Sequence, residues 1–274
     1  MVKTQAEKGQ IFRGLHEREG AFIIPNPWDA GSARLLEHLG FEALATTSAG
    51  YAFTTGRRDN SVGREEMMTH VAAVAGATDL PVSADLGNAF GDEPRVVAET
   101  FRLVMAAGAV GASVEDATGR DDEPIYDLSL AVERVGAAVE AVRRLDFPFT
   151  VTARCENYLV GREDIKGTLA RLQAYQAAGA DVLYAPGITT VEDIRAVVSS
   201  VDRPVNLLLG IAGVKLTLGD ASRLGVKRVS VGSALCRTAY GAMLRAGREM
   251  KDHGTFGFAG EAISFKDISA IFPE

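Results

Sequence analysis

The chain has 274 residues, 47% of them hydrophobic and 24% charged, the composition of an ordinary globular protein. Its net charge of −7 disfavours a nucleic-acid partner, which needs a basic patch. No run of about 18 apolar residues is present to span a membrane. Taken in chain order, a polar helix over 4–18 comes first, without the apolar centre of a secretory signal, so a cytoplasmic location is expected. Strand-like runs then fall at 21–24, 43–47, 82–86, 111–115, 149–153, 182–185, 204–208 and 227–231. Helical patterns alternate with them at 30–39, 64–78, 94–107, 130–144, 164–178, 191–200, 217–224 and 234–253.

The boundaries carry physical signals. Pro94 follows Asp92 and Glu93, a favourable first helical turn. Gly40, Gly108, Gly179 and Gly225 each close a helical run and precede a strand. Repeated strand-then-helix units without a charged linker predict one (β/α)8 TIM barrel over 1–274, with a doubly wound open sheet as the alternative. The segment 233–274 reads as a C-terminal helical extension, more apolar than one closing helix needs, and is expected to sit in an oligomer interface.

Cys155 and Cys236 lie far apart and form no disulfide framework, as in a reducing compartment. Cys155 reads as a small buried filler. His16, His38, His70 and His253 lie in helix patterns without metal-ligand spacing, so no zinc site is expected. Two connections, 48–63 and 117–128, are long and follow strand ends. Such polar loops serve as lids or substrate walls, and 117–127 is expected to be a mobile lid.

The chemistry sits where strands end. Asp85 and Glu115 close adjacent strands, and two carboxylates there suit a hard cation such as Mg2+. Each alone could equally cap a helix or pair with an arginine. Arg154 closes the fifth strand, either pairing with Glu156 or Glu115 or gripping a substrate carboxylate. Thr46 to Gly50 can turn backbone N–H groups and hydroxyls toward an anion, although Ser48-Ala49-Gly50 is also simply a turn. No catalytic triad, P-loop or dinucleotide fingerprint is present.

These segments together resemble the isocitrate lyase/phosphoenolpyruvate mutase superfamily over most of the chain. Carrying the likeness are Ile24-Pro25-Asn26-Pro27-Trp28-Asp29-Ala30-Gly31-Ser32-Ala33 and Gly56-Arg57-Arg58-Asp59. Ser83-Ala84-Asp85, Val114-Glu115-Asp116 and Ala153-Arg154-Cys155-Glu156 complete it. The resemblance implies Asp85 and Glu115 as metal residues for Mg2+, with Mn2+ as a substitute. It places Asp59 in the outer shell, counted with Arg154 as catalytic. Substrate binding then falls to Thr47, Ser48, Ala49, Arg154 and Asn206. It also implies an eighth helix exchanged between subunits, in a homodimer or homotetramer.

Two departures stand out. Gly87 occupies the position of a second acid usual in the family, so that either metal affinity falls or Asn88 or Asp116 substitutes. The loop after the fourth strand lacks the Lys-Lys-Cys-Gly-His motif of the lyase branch and the asparagine-bearing gate of the phosphonate mutases. The expected activity is Mg2+-dependent carbon–carbon cleavage or decarboxylation of a small 2-oxo or 2-hydroxy carboxylic acid through an enolate. Phosphonate C–P chemistry and non-catalytic 2-oxo-acid binding are the alternatives. The expected partner is that small acid, with no nucleic acid or membrane.

Overall fold

Eight short parallel strands form one sheet in the order β1-β8-β7-β6-β5-β4-β3-β2, in a computed structural model that describes residues 2–211 and 213–272. The strands are β1 (Phe22–Ile24), β2 (Leu44–Ala45), β3 (Val82–Asp85) and β4 (Gly111–Glu115). They continue with β5 (Thr150–Arg154), β6 (Val182–Tyr184), β7 (Val205–Leu208) and β8 (Arg228–Ser230). Every adjacent pair runs parallel, and β1 pairs with β8. Across the remaining seam the Ala45 N–H donates to the Pro25 carbonyl, and the Asn26 amide donates to the Thr46 carbonyl. The result is a nearly closed (β/α)8 barrel, as expected.

The helices form the outer layer. In order they are α1 (Gln5–Glu17), α2 (Ala30–His38), α3 (Ser48–Thr54), α4 (Arg64–Gly76), α5 (Pro94–Ala106) and α6 (Leu128–Val142). The later ones are α7 (Ile165–Ala177), α8 (Val191–Ser199), α9 (Leu218–Arg223), α10 (Ala234–His253) and α11 (Phe265–Ile271). Buried Phe101, Phe149, Leu172 and Tyr175 fill the space between this layer and the sheet.

The second strand ends earlier than its sequence pattern suggests, and the 48–63 connection opens with the short helix α3. The reason is local. The Thr47 side chain accepts from the Gly50 N–H and caps a new helix directly after the strand.

The N-terminal end of the barrel is plugged by α1. Phe12 and Leu15 pack there against Phe22, Ile24, Ala43 and Val110. This plug explains Gly111: a Cβ there would lie 2.9 Å from the Phe12 ring and 2.9 Å from the Thr150 carbonyl oxygen. Because the second contact is backbone, Gly111→Ala is expected to cost about 1–3 kcal/mol from overpacking, read as a lower urea midpoint with an unchanged slope.

The C-terminal segment behaves differently from the barrel. Only Cys236 of α10 is buried, and no residue of α11 is. Met243, Leu244, Phe256, Ile263 and Phe265 are exposed, although α11 touches α2.

Candidate active site

A cavity of about 630 Å³ opens where the strands end, lined by Thr47, Ser48, Ala49, Asp59, Asp85, Glu115, Arg154 and Asn206. Each residue assigned from the sequence to metal, substrate or catalysis therefore faces one space. The barrel register does this. Asp85 lies beside Ser113 and Glu115 beside Arg154, so side chains of neighbouring strands converge at one end.

Arg154 is the hub. One of its terminal nitrogens donates to Asp85 at 2.7 Å, and the other lies 3.1 Å from Glu115. Its Nε donates to Glu156 at 2.9 Å. All three nitrogens thus rest on carboxylates, and the arginine side chain is only 14% exposed. Of the two sequence readings of Arg154, the internal ion pair is the one displayed.

Glu156 belongs to the cluster as the partner that sequence reasoning offers for Arg154, although that reasoning gives it no catalytic, substrate or metal role. It lies two residues beyond Arg154, which placed it on the same face and was the available signal. The Glu156 N–H donates to Asp116, which fixes the turn leaving β5.

Asp85 is held on its other side. The Ser48 N–H donates to it at 3.0 Å and the Ser48 hydroxyl at 2.9 Å. The Thr46 hydroxyl accepts from the Asp85 N–H. Of the expected anion-binding groups at 47–49, Ser48 is therefore committed to a protein carboxylate. Thr47 and Ala49 line the cavity beside it.

The electrostatics follow from burial. Desolvation pushes the Glu115 carboxyl well above its ordinary range, against the pull of Arg154, and neighbouring Glu156, Asp85 and Asp59 push it further. Glu156 is likewise raised by burial, although Arg154 pulls it down. Asp59 belongs to an exposed loop, but its carboxyl turns into the mouth, where burial and then Asp85 raise it. Burial opposes the charge on Arg154, yet Glu156, Glu115 and Asp85 together raise it well above the usual value. Tyr184, whose ring lies 5.3 Å from the Arg154 guanidinium, is pushed up to about 12 by burial and stays protonated.

The donor set fits a hard cation. Asp59, Asp85, Glu115 and Glu156 face the cavity with Arg154 among them, and no histidine or cysteine lines it among the described residues. Nor do three acidic, histidine or cysteine side chains there meet at one direct coordination point. An ion bound by one or two carboxylates and several waters matches this arrangement, which is how Mg2+ is held.

Two expected replacements for the missing acid at Gly87 are corrected by the geometry. A Cβ at Gly87 would point toward Glu115, so an acid there would join the cluster. Asn88 does not, because its amide donates to the Tyr126 hydroxyl and it bonds beneath the neighbouring loop. Asp116 faces the helical layer, where it binds Arg171 and Tyr175. Cys155 is fully buried, and desolvation pushes its thiol up to about 12, consistent with a packing role.

The 117–127 loop folds back on itself through an antiparallel bridge between Ala117 and Ile125. Gly119, Arg120, Asp121 and Pro124 reach the cavity wall. Arg120 is tied to Asp92 at 2.8 Å.

Among the described residues, no helix is long and apolar enough to cross a membrane.

Comparison with known proteins agrees with this geometry. The family model for phosphoenolpyruvate phosphomutase matches residues 12–251. A Burkholderia cenocepacia structure with the provisional description lyase/mutase is 60% identical, covers 97% of this chain and 95% of its own, and superposes with a TM-score of 0.95. Oxaloacetate decarboxylase of Paraburkholderia xenovorans is 30% identical, over 81% of this chain and 74% of its own. A phosphonopyruvate hydrolase solved with oxalate and Mg2+ is 25% identical, with a TM-score of 0.86 over 96% of this chain and 94% of its own.

Proposed function

Because this chain belongs to the phosphoenolpyruvate mutase/isocitrate lyase superfamily and is an enzyme of the lyase type, we propose that it cleaves a carbon–carbon bond of a small 2-oxo or 2-hydroxy carboxylic acid with Mg2+ as cofactor. The reading is carried by the buried acid cluster around Arg154, which holds more carboxylates than one guanidinium neutralises. Asp85 and Glu115 hold the cation, and Asp59 and Glu156 complete its surroundings. When bound, Mg2+ supplies Lewis-acid stabilisation of the negative charge that develops on the substrate.

The protein's own groups do the rest. Arg154 holds Asp85, Glu115 and Glu156 in fixed positions and orients the substrate carboxylate beside them. Thr47 and Ala49, beside the Ser48 that is spent on Asp85, support the enolate oxygen with hydroxyl and backbone donors. Decarboxylation suits a site whose loop 117–127 carries neither cysteine nor histidine. Bond cleavage then needs no general acid on the protein, since CO2 departs and solvent protonates the enolate.

The test is a panel of 2-oxo and 2-hydroxy acids followed by proton NMR, with phosphonopyruvate as a separate arm. Carbon–carbon cleavage products from at least one acid support the reading. Phosphate release from phosphonopyruvate alone assigns the site to C–P chemistry.

The same proposal extends to assembly and location. The exposed apolar residues of α10 and the segment after it are covered by a second copy of this chain, in a helix-exchanged dimer or tetramer, and the protein acts in the cytoplasm. Light scattering is expected to show at least a dimer. A monomer at micromolar concentration contradicts this, and an unchanged oligomeric state after removal of the residues beyond Gly254 shows that the final segment is not part of the interface.

A further inference from the structure

A second guanidinium lines the same cavity. Arg228 opens β8, is 5% exposed, and faces the cavity with Tyr184, Asn206 and Ser230. Its Nε donates to the Asn206 side-chain amide oxygen at 2.8 Å, and one terminal nitrogen donates to the Thr152 hydroxyl at 3.2 Å. The other terminal nitrogen lies 3.4 Å from His16 Nε2.

The protonation of His16 is decided by its second contact. His16 Nδ1 lies 2.8 Å from the Phe12 carbonyl oxygen, which can only accept. Nδ1 therefore carries the proton, and Nε2 accepts from Arg228. Burial, with Arg228 nearby, holds His16 down to about 3, so the ring is neutral.

Among the described residues, every hydrogen-bond partner of Arg228 is thus uncharged. Burial weighs against its charge, and the nearby Tyr184, itself protonated, favours it only weakly. Arg154 is the opposite case, closed by three carboxylates. A buried guanidinium without a counter-anion is costly. Three of its five N–H groups are accounted for by these bonds.

Asn206 fixes how this cation is presented. Its amide nitrogen donates to the Ser230 hydroxyl at 2.9 Å, which leaves its oxygen for Arg228. Asn206 is a positioning residue on this geometry.

We infer that Arg228 binds the carboxylate at the end of the substrate remote from the acid cluster, and so selects dicarboxylic over monocarboxylic acids of equal length. This deepens the lyase reading above and rests on it for the placement of the reacting end. The cavity then has two poles: acids for a cation at Asp85 and Glu115, and an uncompensated cation at Arg228.

The test is calorimetric titration of the Mg2+-loaded full chain with succinate and with butyrate, neither of which carries the 2-oxo group. The wild type is expected to bind succinate about tenfold or more tightly than butyrate. Arg228→Gln should bring that ratio close to unity, and Arg228→Lys should keep part of it. Asn206→Asp gives Arg228 an internal carboxylate without removing its charge, and should also abolish the preference. This variant keeps the test decisive if Arg228→Gln fails to fold. No preference in the wild type, or an unchanged ratio in Asn206→Asp or folded Arg228→Gln, overturns the assignment. An Arg228-dependent preference without cleavage of any 2-oxo acid removes the lyase reading and leaves the subsite. Cleavage without the preference does the reverse.

Discussion

Replacing Asp85 with alanine is expected to lower kcat/KM by at least about a hundredfold and to remove the dependence of rate on Mg2+. Asp85 ends β3 beside Ser113 and is gripped from two sides, by Ser48 and by Arg154. Those contacts fix the carboxylate before any ligand arrives, so its loss is not made good by a water molecule. The fold should survive, because Arg154 retains Glu115 and Glu156. Initial rates across a Mg2+ series, with circular dichroism melts as a folding control, separate the two effects. A folded Asp85→Ala protein with full activity would move the chemistry elsewhere in the barrel.

Arg154→Gln is expected to have the largest effect on stability, a loss of about 3–5 kcal/mol. The substitution leaves Asp85, Glu115 and Glu156 facing one another without their shared guanidinium. The penalty should depend on pH in a definite direction. Glu115 and Glu156 are already raised by burial, and Arg154 is what pulls them down. Without it their folded-state values rise further above those of the unfolded chain. The stability such groups contribute is present below the unfolded carboxylate value and is lost as pH rises through the folded one. The gap between Arg154→Gln and wild type should therefore be small near about pH 4 and widen toward neutrality. Urea titrations at several pH values measure it. A gap that narrows as pH rises would mean that Arg154 does not neutralise this cluster.

Much of this site is legible in the sequence because parallel strands impose it. A polar residue ending a buried apolar run has one place to go, the mouth of the barrel. That is how Asp85, Glu115 and Arg154 stand out from the linear pattern alone. Glu156 was readable by the same rule, two residues beyond Arg154. Helix α3 was less so, since Thr47 to Gly50 suits both a turn and a capped helix, and only the Thr47 hydroxyl bond decides between them.

What stays hidden in sequence is which way side chains face once strands end. Asn88 and Asp116 flank the acid cluster in the chain, yet one lies under the neighbouring loop and the other turns into the helical layer. The partners of Arg228 come from α1, β5 and β7, elements more than 20 residues apart that no local pattern brings together. The neutrality of its surroundings is a tertiary property. So is the pairing of Arg154 with three carboxylates, which separates the arginine that ends β5, a structural hub, from the one that opens β8, an anion-seeking cation.

The central claim is Mg2+-dependent carbon–carbon cleavage at the Arg154 cluster. Its most direct test is product analysis of oxaloacetate, comparing wild type, EDTA-treated wild type, Asp85→Ala and an enzyme-free control at equal Mg2+. The enzyme-free arm matters because Mg2+ alone promotes this decarboxylation slowly. The account predicts a rate proportional to wild-type protein, abolished by EDTA, restored by added Mg2+, and absent in Asp85→Ala. Oxaloacetate loss that never exceeds the enzyme-free control, or that persists undiminished in EDTA and in Asp85→Ala, would contradict it.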